Sequence, residues 1–330
     1  MLGSVSHPTL ADALRDATAR LLDAAPSGSQ SDSKTSARLE AELLLGEAAH
    51  VTRTTLFAWP ERRLDTEQAA AFAELLGRRI RGEPIAYILG RRAFHDLELH
   101  TRPGALIPRP ETELLVDWAL GALPADAALR AADLGTGSGA IALAIAGARP
   151  AWSLLAVEQD AQALAIAAEN QRRLGVANVA LVQGNWLTAF RASSLDLVVS
   201  NPPYICEHDP HLARGDLRFE PRPALAAGVD GLTAIRAIIH QAAQVLAPDG
   251  LLLLEHGWQQ GAEVRALLRA GGWCAIVTRR DLAGLERATG ARRVSDAELP
   301  PARLSSHLSH HDGHGHTRSR SHQAPTDQLS

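Results

Sequence analysis

The chain has 330 residues, enough for about two domains. Hydrophobic residues make up 46% and charged residues 21%, which excludes a disordered chain and predicts well-cored globular units. The net charge of −4 gives no global support for nucleic-acid binding and leaves only a local basic patch as a route to it. Two cysteines, Cys206 and Cys274, form neither a disulfide framework nor a metal motif, which fits a reducing compartment. No apolar run reaches 18 residues and no signal-peptide core opens the chain, so it reads as cytoplasmic.

Residues 1–88 read as a small helical bundle. Thr9, with Asp12 three residues on, caps a helix whose Leu10, Leu14, Ala17 and Leu21 share one face. Residues 26–36 form a Ser/Gly-rich break, read as a mobile loop. A second helix carries Leu39, Leu43 and Leu44. Asp65 and Gln68 make the capping box of another, striped by Phe72, Leu75, Leu76 and Ile80 and ended by Gly82. No catalytic constellation is visible here, so partner binding is the expected role.

Residues 89–106 alternate around Phe94, Leu97 and Leu99 and predict a hairpin linker. Pro108 and Pro110 then flank Arg109, a stiff entry to a helix through Leu114, Leu115, Trp118 and Leu120. The plain reading of Arg109 and Glu111 is a surface ion pair, worth about 0–1 kcal/mol.

From residue 129 short apolar strands alternate with amphipathic helices, the pattern of a doubly wound, mostly parallel α/β sheet over 107–297. Strands are expected at 131–134, 154–158, 179–182, 195–200, 251–255 and 274–278. Helices are expected at 140–146 (ended by Gly147), 164–174, 232–246 and 262–268. Residues 205–229 form a long connection. Residues 298–330 are rich in His, Ser, Pro and Gly and are expected to be disordered. The six histidines from His307 to His322 are better explained as a solvated tail than as a metal site.

Chemistry concentrates at the ends of the predicted strands. Gly135-Thr136-Gly137-Ser138-Gly139 follows the first, letting backbone approach a ligand at a helix N-terminus. Its third glycine comes one residue too early for the dinucleotide fingerprint, which argues against a nicotinamide-dependent dehydrogenase. Asp133, just before the loop, favours a ligand with an ammonium group over a pyrophosphate. Glu158 ends the second strand, in place for ribose hydroxyls; Asn185 and Trp186 follow the third, with the indole able to stack on a purine. Ammonium, ribose and adenine together describe S-adenosylmethionine. Taken singly, Asp133 or Glu158 is explained as a helix N-cap and Trp186 as core. Asn201-Pro202-Pro203-Tyr204 ends the fourth strand. The Asn201 side-chain oxygen and the Pro202 carbonyl are two acceptors for the two hydrogens of a planar N–H₂ group, and the Tyr204 ring suits its flat face. By itself the tetrapeptide reads equally well as a turn; the ordered set does not.

This combination resembles the class I S-adenosylmethionine-dependent methyltransferases. It resembles most closely the HemK/PrmC family, the protein-glutamine N5-methyltransferases of peptide-chain release factors. The resemblance covers roughly residues 1–292 and rests on residues 82–86, 106–113, 133–139, 201–204, 218–221 and 253–257. The Pro-Arg-Pro-Glu-Thr-Glu segment together with Asn-Pro-Pro-Tyr is the specific part. The family implies a helical N-terminal domain that binds the release factor, a hairpin linker and a seven-stranded catalytic domain. It further implies that S-adenosyl-L-methionine is held by Asp133, by the loop from Gly135 to Gly139 including Thr136, Gly137 and Ser138, and by Glu158, Asn185, Trp186 and Asn201. The glutamine of a Gly-Gly-Gln motif would be held by Asn201, Pro202, Pro203 and Tyr204, with Asn201, Pro202 and Tyr204 catalytic. No metal, membrane or direct nucleic-acid partner is expected, and a monomer is. Asn185 stands where many relatives carry Asp, and Glu158 where Asp is common; either can still accept the bond in question. Residues 26–36 and the His-rich tail lie outside the family pattern. The nearest rival is an amino-group methyltransferase acting on adenine N6 or guanine N2 of nucleic acid; a further rival is a catalytically silent binding module.

Overall fold

The computed structural model describes residues 7–24 and 30–294. The His-rich tail and its expected disorder lie outside these residues.

Local sequence signals start the N-terminal helices. Thr9 caps α1 (Leu10–Ala24): its hydroxyl accepts from the Asp12 N–H at 3.1 Å and donates to the Asp12 carboxylate at 2.7 Å. The α1 stripe of Leu10, Ala13, Leu14, Ala17 and Leu21 is buried against Ala41, Leu44, Leu45 and Ala48 of α2 (Gln30–Ala49). The Ser/Gly-rich break is therefore shorter than expected. Helix α2 already runs from Gln30, because no Gly or Pro after Gly28 blocks it and its lower turns are anchored by packing; residues 25–29 lie outside those described. Thr52 caps the short α3 (Arg53–Ala58). Asp65 and Gln68 form the full capping box of α4 (Thr66–Ile80), and α5 (Ile85–Leu89) ends at Gly90 with φ +71°.

The hairpin is β1 (Arg91–Phe94) and β2 (Leu97–His100), antiparallel, with Phe94 and Leu99 buried in the core of the larger unit. Buried Asn170 fixes it there. Its Oδ1 accepts from the His100 N–H at 2.7 Å, while its Nδ2 donates to the carbonyls of His100 (3.1 Å) and Ser138 (3.0 Å). A 3₁₀ turn at Pro110–Thr112 leads into α6 (Glu113–Ala122).

Beyond it come β3 (Arg130–Leu134), α7 (Ala140–Ala148), β4 (Ser153–Glu158), α8 (Ala161–Leu174), β5 (Val179–Gln183) and β6 (Leu195–Ser200). Then follow α9 (Thr233–Val245), β7 (Leu246–Glu255), α10 (Gly261–Ala270), β8 (Cys274–Arg280) and β9 (Glu286–Arg292). The seven-stranded sheet has order β5-β4-β3-β6-β7-β9-β8. It is parallel through β7, and β9 runs antiparallel to both its neighbours. One face is covered by α6, α7 and the hairpin, the other by α9 and α10.

Two expectations need correction. Helix α7 passes Gly147 to end at Ala148, since one glycine costs only about 1 kcal/mol and the apolar helix is buried nearly all round. Strand β9 was not expected: Glu-Arg-Ala-Thr-Gly-Ala-Arg has little strand propensity and is ordered by pairing on both sides. Gly290 is required there, because a Cβ would lie 2.7 Å from Leu253 and 2.8 Å from Trp118.

The order reverses beside β3. The chain leaves it toward β4 and β5, then returns to β6 on the other side. Such a switch point opens a crevice at the carboxyl ends of the two strands. The glycine loop follows β3 and the Asn-Pro-Pro-Tyr segment follows β6, so both meet at that crevice.

Arg79 joins the helical region to the connection 205–229. It donates to Glu40 twice at 2.9 Å, to Asp216 at 2.8 Å and to the Glu83 carbonyl at 3.0 Å, with only 17% of its side chain exposed. Arg79→Met leaves two carboxylates without their shared cation and is expected to cost about 2 kcal/mol, lowering the melting temperature by about 5 °C. Arg78→Met removes one partner of a more exposed pair with Glu83 and is expected to cost under about 1 kcal/mol. Equal melting temperatures for the two variants would contradict this.

Candidate active site

At the crevice lies a cavity of about 330 Å³. Gly135, Gly137, Glu158, Asn185, Trp186, Asn201 and Pro203 line it, and Leu106, Pro221, Pro223 and Ala224 close it from the other side. Thr136 and Ser138 line a small adjoining cleft with Arg109, Thr112 and Asn201. Pro202 and Tyr204 line another with Asn201 and Pro203. The tertiary structure thus gathers most of the predicted set around one space. Asp133 and Gly139 line none of these spaces; they build the floor beneath the loop. A larger groove of about 820 Å³ lies beyond Tyr204 and contains no other predicted site residue.

The glycine loop is shaped from below. Gly135, Gly137 and Gly139 all have positive φ, and a Cβ at Gly139 would meet Leu143 at 2.9 Å and Ala167 at 3.4 Å. Asp133 is fully buried. Its Oδ2 accepts from the Thr136 hydroxyl at 2.6 Å and from the Ala142 N–H at 3.1 Å, whereas its Oδ1 has no partner among the described residues. Burial pushes its carboxyl up to about 7, against those two hydrogen bonds and with a small further push from Glu158. Glu158 takes the Gly137 N–H on Oε2 at 2.9 Å and the N–H groups of Gln159 and Asp160 on Oε1 at 2.8 and 3.0 Å. It is therefore not the helix cap; Asp160 caps α8. Trp186, held at φ +49°, stands with its ring 3.4 Å from where a Gly135 Cβ would be.

These features fit the three-part ligand expected from the sequence. A buried unpaired carboxylate oxygen suits an ammonium. A rim carboxylate suits ribose hydroxyls. An amide and an indole at the next strand end suit an adenine.

The tetrapeptide is held on several sides. The Ser200 hydroxyl donates to the Leu134 carbonyl at 2.7 Å, joining the two strand ends. The Gln260 amide donates to the Tyr204 carbonyl at 3.0 Å, and Gly231 (φ +73°) passes so close that a Cβ would lie 2.2 Å from that oxygen. The Asn201 Nδ2 donates to the Thr112 hydroxyl at 3.0 Å; the Thr112 hydroxyl and the Tyr204 hydroxyl each donate to Glu255, at 2.7 and 3.1 Å. Among the described residues nothing donates to the Asn201 Oδ1 or to the Pro202 carbonyl. Glu255 is also buried and pushed up to about 7 by that burial, opposed by Thr112, Arg287 and Tyr204.

Sequence reasoning did not single out Glu255, Thr112 or Glu220 as site residues. It also paired Arg109 with the wrong partner: Arg109 bonds Glu220, not Glu111. Glu220 Oε2 accepts the Ile107 N–H at 2.9 Å as well. The two prolines around Arg109 were the available signal, since they stiffen the backbone that presents it at the crevice. Among the described residues there is no cluster suited to a metal ion, and no helix is long and apolar enough to cross a membrane.

Asp133 and Glu255 give a stability signature. Their unfolded values lie near 4, so between about pH 4 and 7 the folded protein holds protons the unfolded chain has released, and stability falls as pH rises. Each contributes up to about 1.4 kcal/mol per pH unit in that window. His256, pushed down by burial, opposes this below its ordinary 6.5. Glu169 and Asp230, held down to about 2 by Arg102 and Arg236, matter only in stronger acid. Ligand-free protein is therefore expected to melt higher at pH 5.5 than at pH 7.5, with Asp133→Asn reducing the difference; the reverse order would contradict it.

Residues 12–90 match the family model described as the PrmC N-terminal domain, and residues 111–214 the one described as the Methyltransferase small domain. The chain is 49% identical over 256 residues to the release factor glutamine methyltransferase of Coxiella burnetii, covering 78% of this chain and 92% of that protein. For the protein of the same name from Pseudomonas aeruginosa the figures are 49% over 261 residues, 79% and 94%. For that of Escherichia coli they are 44% over 264 residues, 80% and 95%. Among solved structures, the catalytic domain of hMettl16 in complex with the MAT2A 3′UTR hairpin 6 superposes with a TM-score of 0.51 at 18% identity, covering 69% of this chain and 84% of that one; this likeness bears on the fold alone.

Proposed function

The chain belongs to the release factor glutamine methyltransferase family, and from that membership we propose how its own residues carry out the reaction. The reaction transfers a methyl group from S-adenosyl-L-methionine to a glutamine side chain of a release factor. In our reading the target is the amide nitrogen, N5, of the Gly-Gly-Gln glutamine of class 1 factors. When bound, the cofactor supplies an electrophilic methyl group on a sulfonium sulfur.

Asp133, through its unpaired Oδ1, and the loop Gly135–Gly139 hold the amino-acid end of the cofactor; Glu158 takes the ribose hydroxyls; Asn185 and Trp186 take the adenine. The acceptor side belongs to the tetrapeptide. An amide nitrogen is a weak nucleophile because its lone pair is delocalised. Asn201 Oδ1 and the Pro202 carbonyl accept its two hydrogens and fix its direction, and they stabilise the positive charge that grows on the nitrogen during attack. Pro203 and Tyr204 wall the glutamine side chain, with the Tyr204 ring on the amide plane. The observation that carries this reading is that these two acceptors have no donor among the described residues, whereas the Asn201 Nδ2, the Tyr204 carbonyl and the Tyr204 hydroxyl beside them are all bonded.

The helical region 1–88 is proposed to dock the release factor, with 89–106 as linker and 107–297 as the catalytic unit. A monomer acting in the cytoplasm, without direct contact to nucleic acid, completes the proposal; the net charge of −4 supports it over a base methyltransferase.

The test incubates the protein with methyl-labelled S-adenosyl-L-methionine and a class 1 release factor, wild-type or with the tripeptide glutamine changed to alanine. Label on the wild-type factor alone is expected. Label on both factors moves the target elsewhere. In a parallel incubation with RNA or DNA in place of the factor, label there and on neither factor favours the base methyltransferase.

A further inference from the structure

We propose that Thr112 and Glu255 are positioning residues that select which end of the Asn201 amide faces the substrate. The inference rests on the reading of Asn201 as an acceptor for the glutamine amide.

An asparagine amide fits its pocket almost equally well in two orientations, one presenting oxygen and the other N–H₂. Only the first can accept a hydrogen from the glutamine nitrogen; the second sets N–H₂ against N–H₂. Something must discriminate, and the structure holds one device that does. The Thr112 hydroxyl is buried and has a single hydrogen, which it gives to Glu255 at 2.7 Å. Its oxygen is then left as an acceptor, and Asn201 Nδ2 fills it at 3.0 Å. A flipped amide would put Oδ1 against an oxygen with no hydrogen left to give. The carboxylate thus fixes the hydroxyl, and the hydroxyl fixes the amide.

Glu255 also receives the Tyr204 hydroxyl at 3.1 Å, so one buried carboxylate orients both side chains that hold the acceptor group. The relay has this sense while Glu255 is ionised. The groups acting on Glu255 are the Thr112 and Tyr204 hydroxyls and Arg287, which favour the charged form, and Glu111, which opposes it. A protonated Glu255 can donate to Thr112 and so permit the flip, and the assays below are therefore run at pH 8.

The three elements come from separate parts of the chain: the Pro110–Thr112 turn, the end of β7 and the residues after β6. Glu255 lines none of the cavities of the site, and Thr112 lines only the small cleft beside the glycine loop, so the cofactor Kd is measured alongside kcat to separate an effect through Asn201 and Tyr204 from one on the cofactor.

The experiment compares Thr112→Val, Thr112→Ser and Glu255→Gln with wild type, measuring kcat, KM for the release factor and the Kd of S-adenosyl-L-methionine. Thr112→Val is expected to lower kcat by about ten- to a hundredfold, the scale of a misdirected reacting group, with the cofactor Kd within about threefold. Thr112→Ser restores the hydroxyl and most of kcat. Glu255→Gln, whose amide can present either end to Thr112, falls between. Retained cofactor binding separates this result from misfolding; if Thr112→Val does not fold, Thr112→Ser and Glu255→Gln decide alone. Wild-type kcat in Thr112→Val or, failing that protein, in Glu255→Gln overturns the inference, as does equal loss in the Ser and Val variants. Asn201→Ala is run in parallel. Full activity there refutes the reading of the site itself, whereas an inactive Asn201→Ala beside a fully active Thr112→Val refutes only the relay.

Discussion

Replacing Asn201 with alanine is expected to lower kcat for release-factor methylation by about 10²–10³-fold, or roughly 3–4 kcal/mol of barrier. That is the usual cost of removing one preorganised partner of a developing charge. The argument is differential. In the ground state the glutamine amide loses one of two acceptors and can turn to water. In the transition state the nitrogen carries positive charge and must point along one line, so the same loss costs more. KM for the release factor should change far less than kcat, because the docking proposed for the helical region does not involve this contact. Asn201 also lines the cofactor cavity, so S-adenosyl-L-methionine binding is expected to weaken, but by less than about tenfold. Single-turnover methyl transfer at saturating cofactor measures the step directly. Near-normal turnover would remove Asn201 from the mechanism.

Glu220→Ala should produce the largest combined loss of stability and cofactor affinity. The Glu220 side chain is fully buried and bonds two groups, the Arg109 guanidinium and, at 2.9 Å, the backbone N–H of Ile107. Alanine leaves that N–H unpaired in the interior and takes the counter-charge from a guanidinium only 29% exposed. Together these cost about 3 kcal/mol, somewhat below a fully buried pair because Arg109 can reach water. The same residue ties the 205–229 connection to the segment 106–113. Pro221, Pro223 and Ala224 of that connection form one wall of the cavity, and Leu106 of that segment sits beside them. Freeing them is expected to weaken S-adenosyl-L-methionine binding by at least about tenfold, since the wall must be ordered when the ligand binds. Saturating cofactor should then raise the variant's melting temperature. Glu220→Gln keeps an acceptor for Ile107 and should lose roughly half as much. An Ala variant with wild-type melting temperature and cofactor Kd would show that the wall holds without this bond.

The strands at 131–134, 154–158 and 195–200, and the helices between them, were legible because apolar runs, β-branched residues and glycine or proline stops act on immediate neighbours. The same is true of the caps at Thr9, Asp65 and Gln68, each bonding three residues along. The crevice followed from the order of those elements, and with it the grouping of the glycine loop, Glu158, Trp186 and Asn201. Strand β9 was not legible. Its small and charged residues are held in extended form by β7 and β8, partners that the local sequence does not announce.

The buried polar pairings were equally hidden. Arg109 looked toward Glu111 two residues away, yet its carboxylate is Glu220, 111 residues distant. Thr112 meets Glu255 across 143 residues, and Arg79 meets Asp216 across 137. The sequence marked Asp133 as a ligand carboxylate, and the fold adds that it lies beneath the loop with one oxygen bonded and the other without a partner among the described residues. A residue's hydrophobic period and backbone restrictions are properties of the local chain, so the sequence alone determined the type and order of most elements, β9 excepted, and the chemistry-bearing residues that follow the strands. The partner that a buried donor or acceptor finds depends on which distant element the topology brings within about 3 Å, and burial makes that choice energetically decisive. Tertiary structure alone therefore decided which side chains in the crevice are committed to holding it together, and that Asn201 Oδ1 and the Pro202 carbonyl are left without a donor among the described residues.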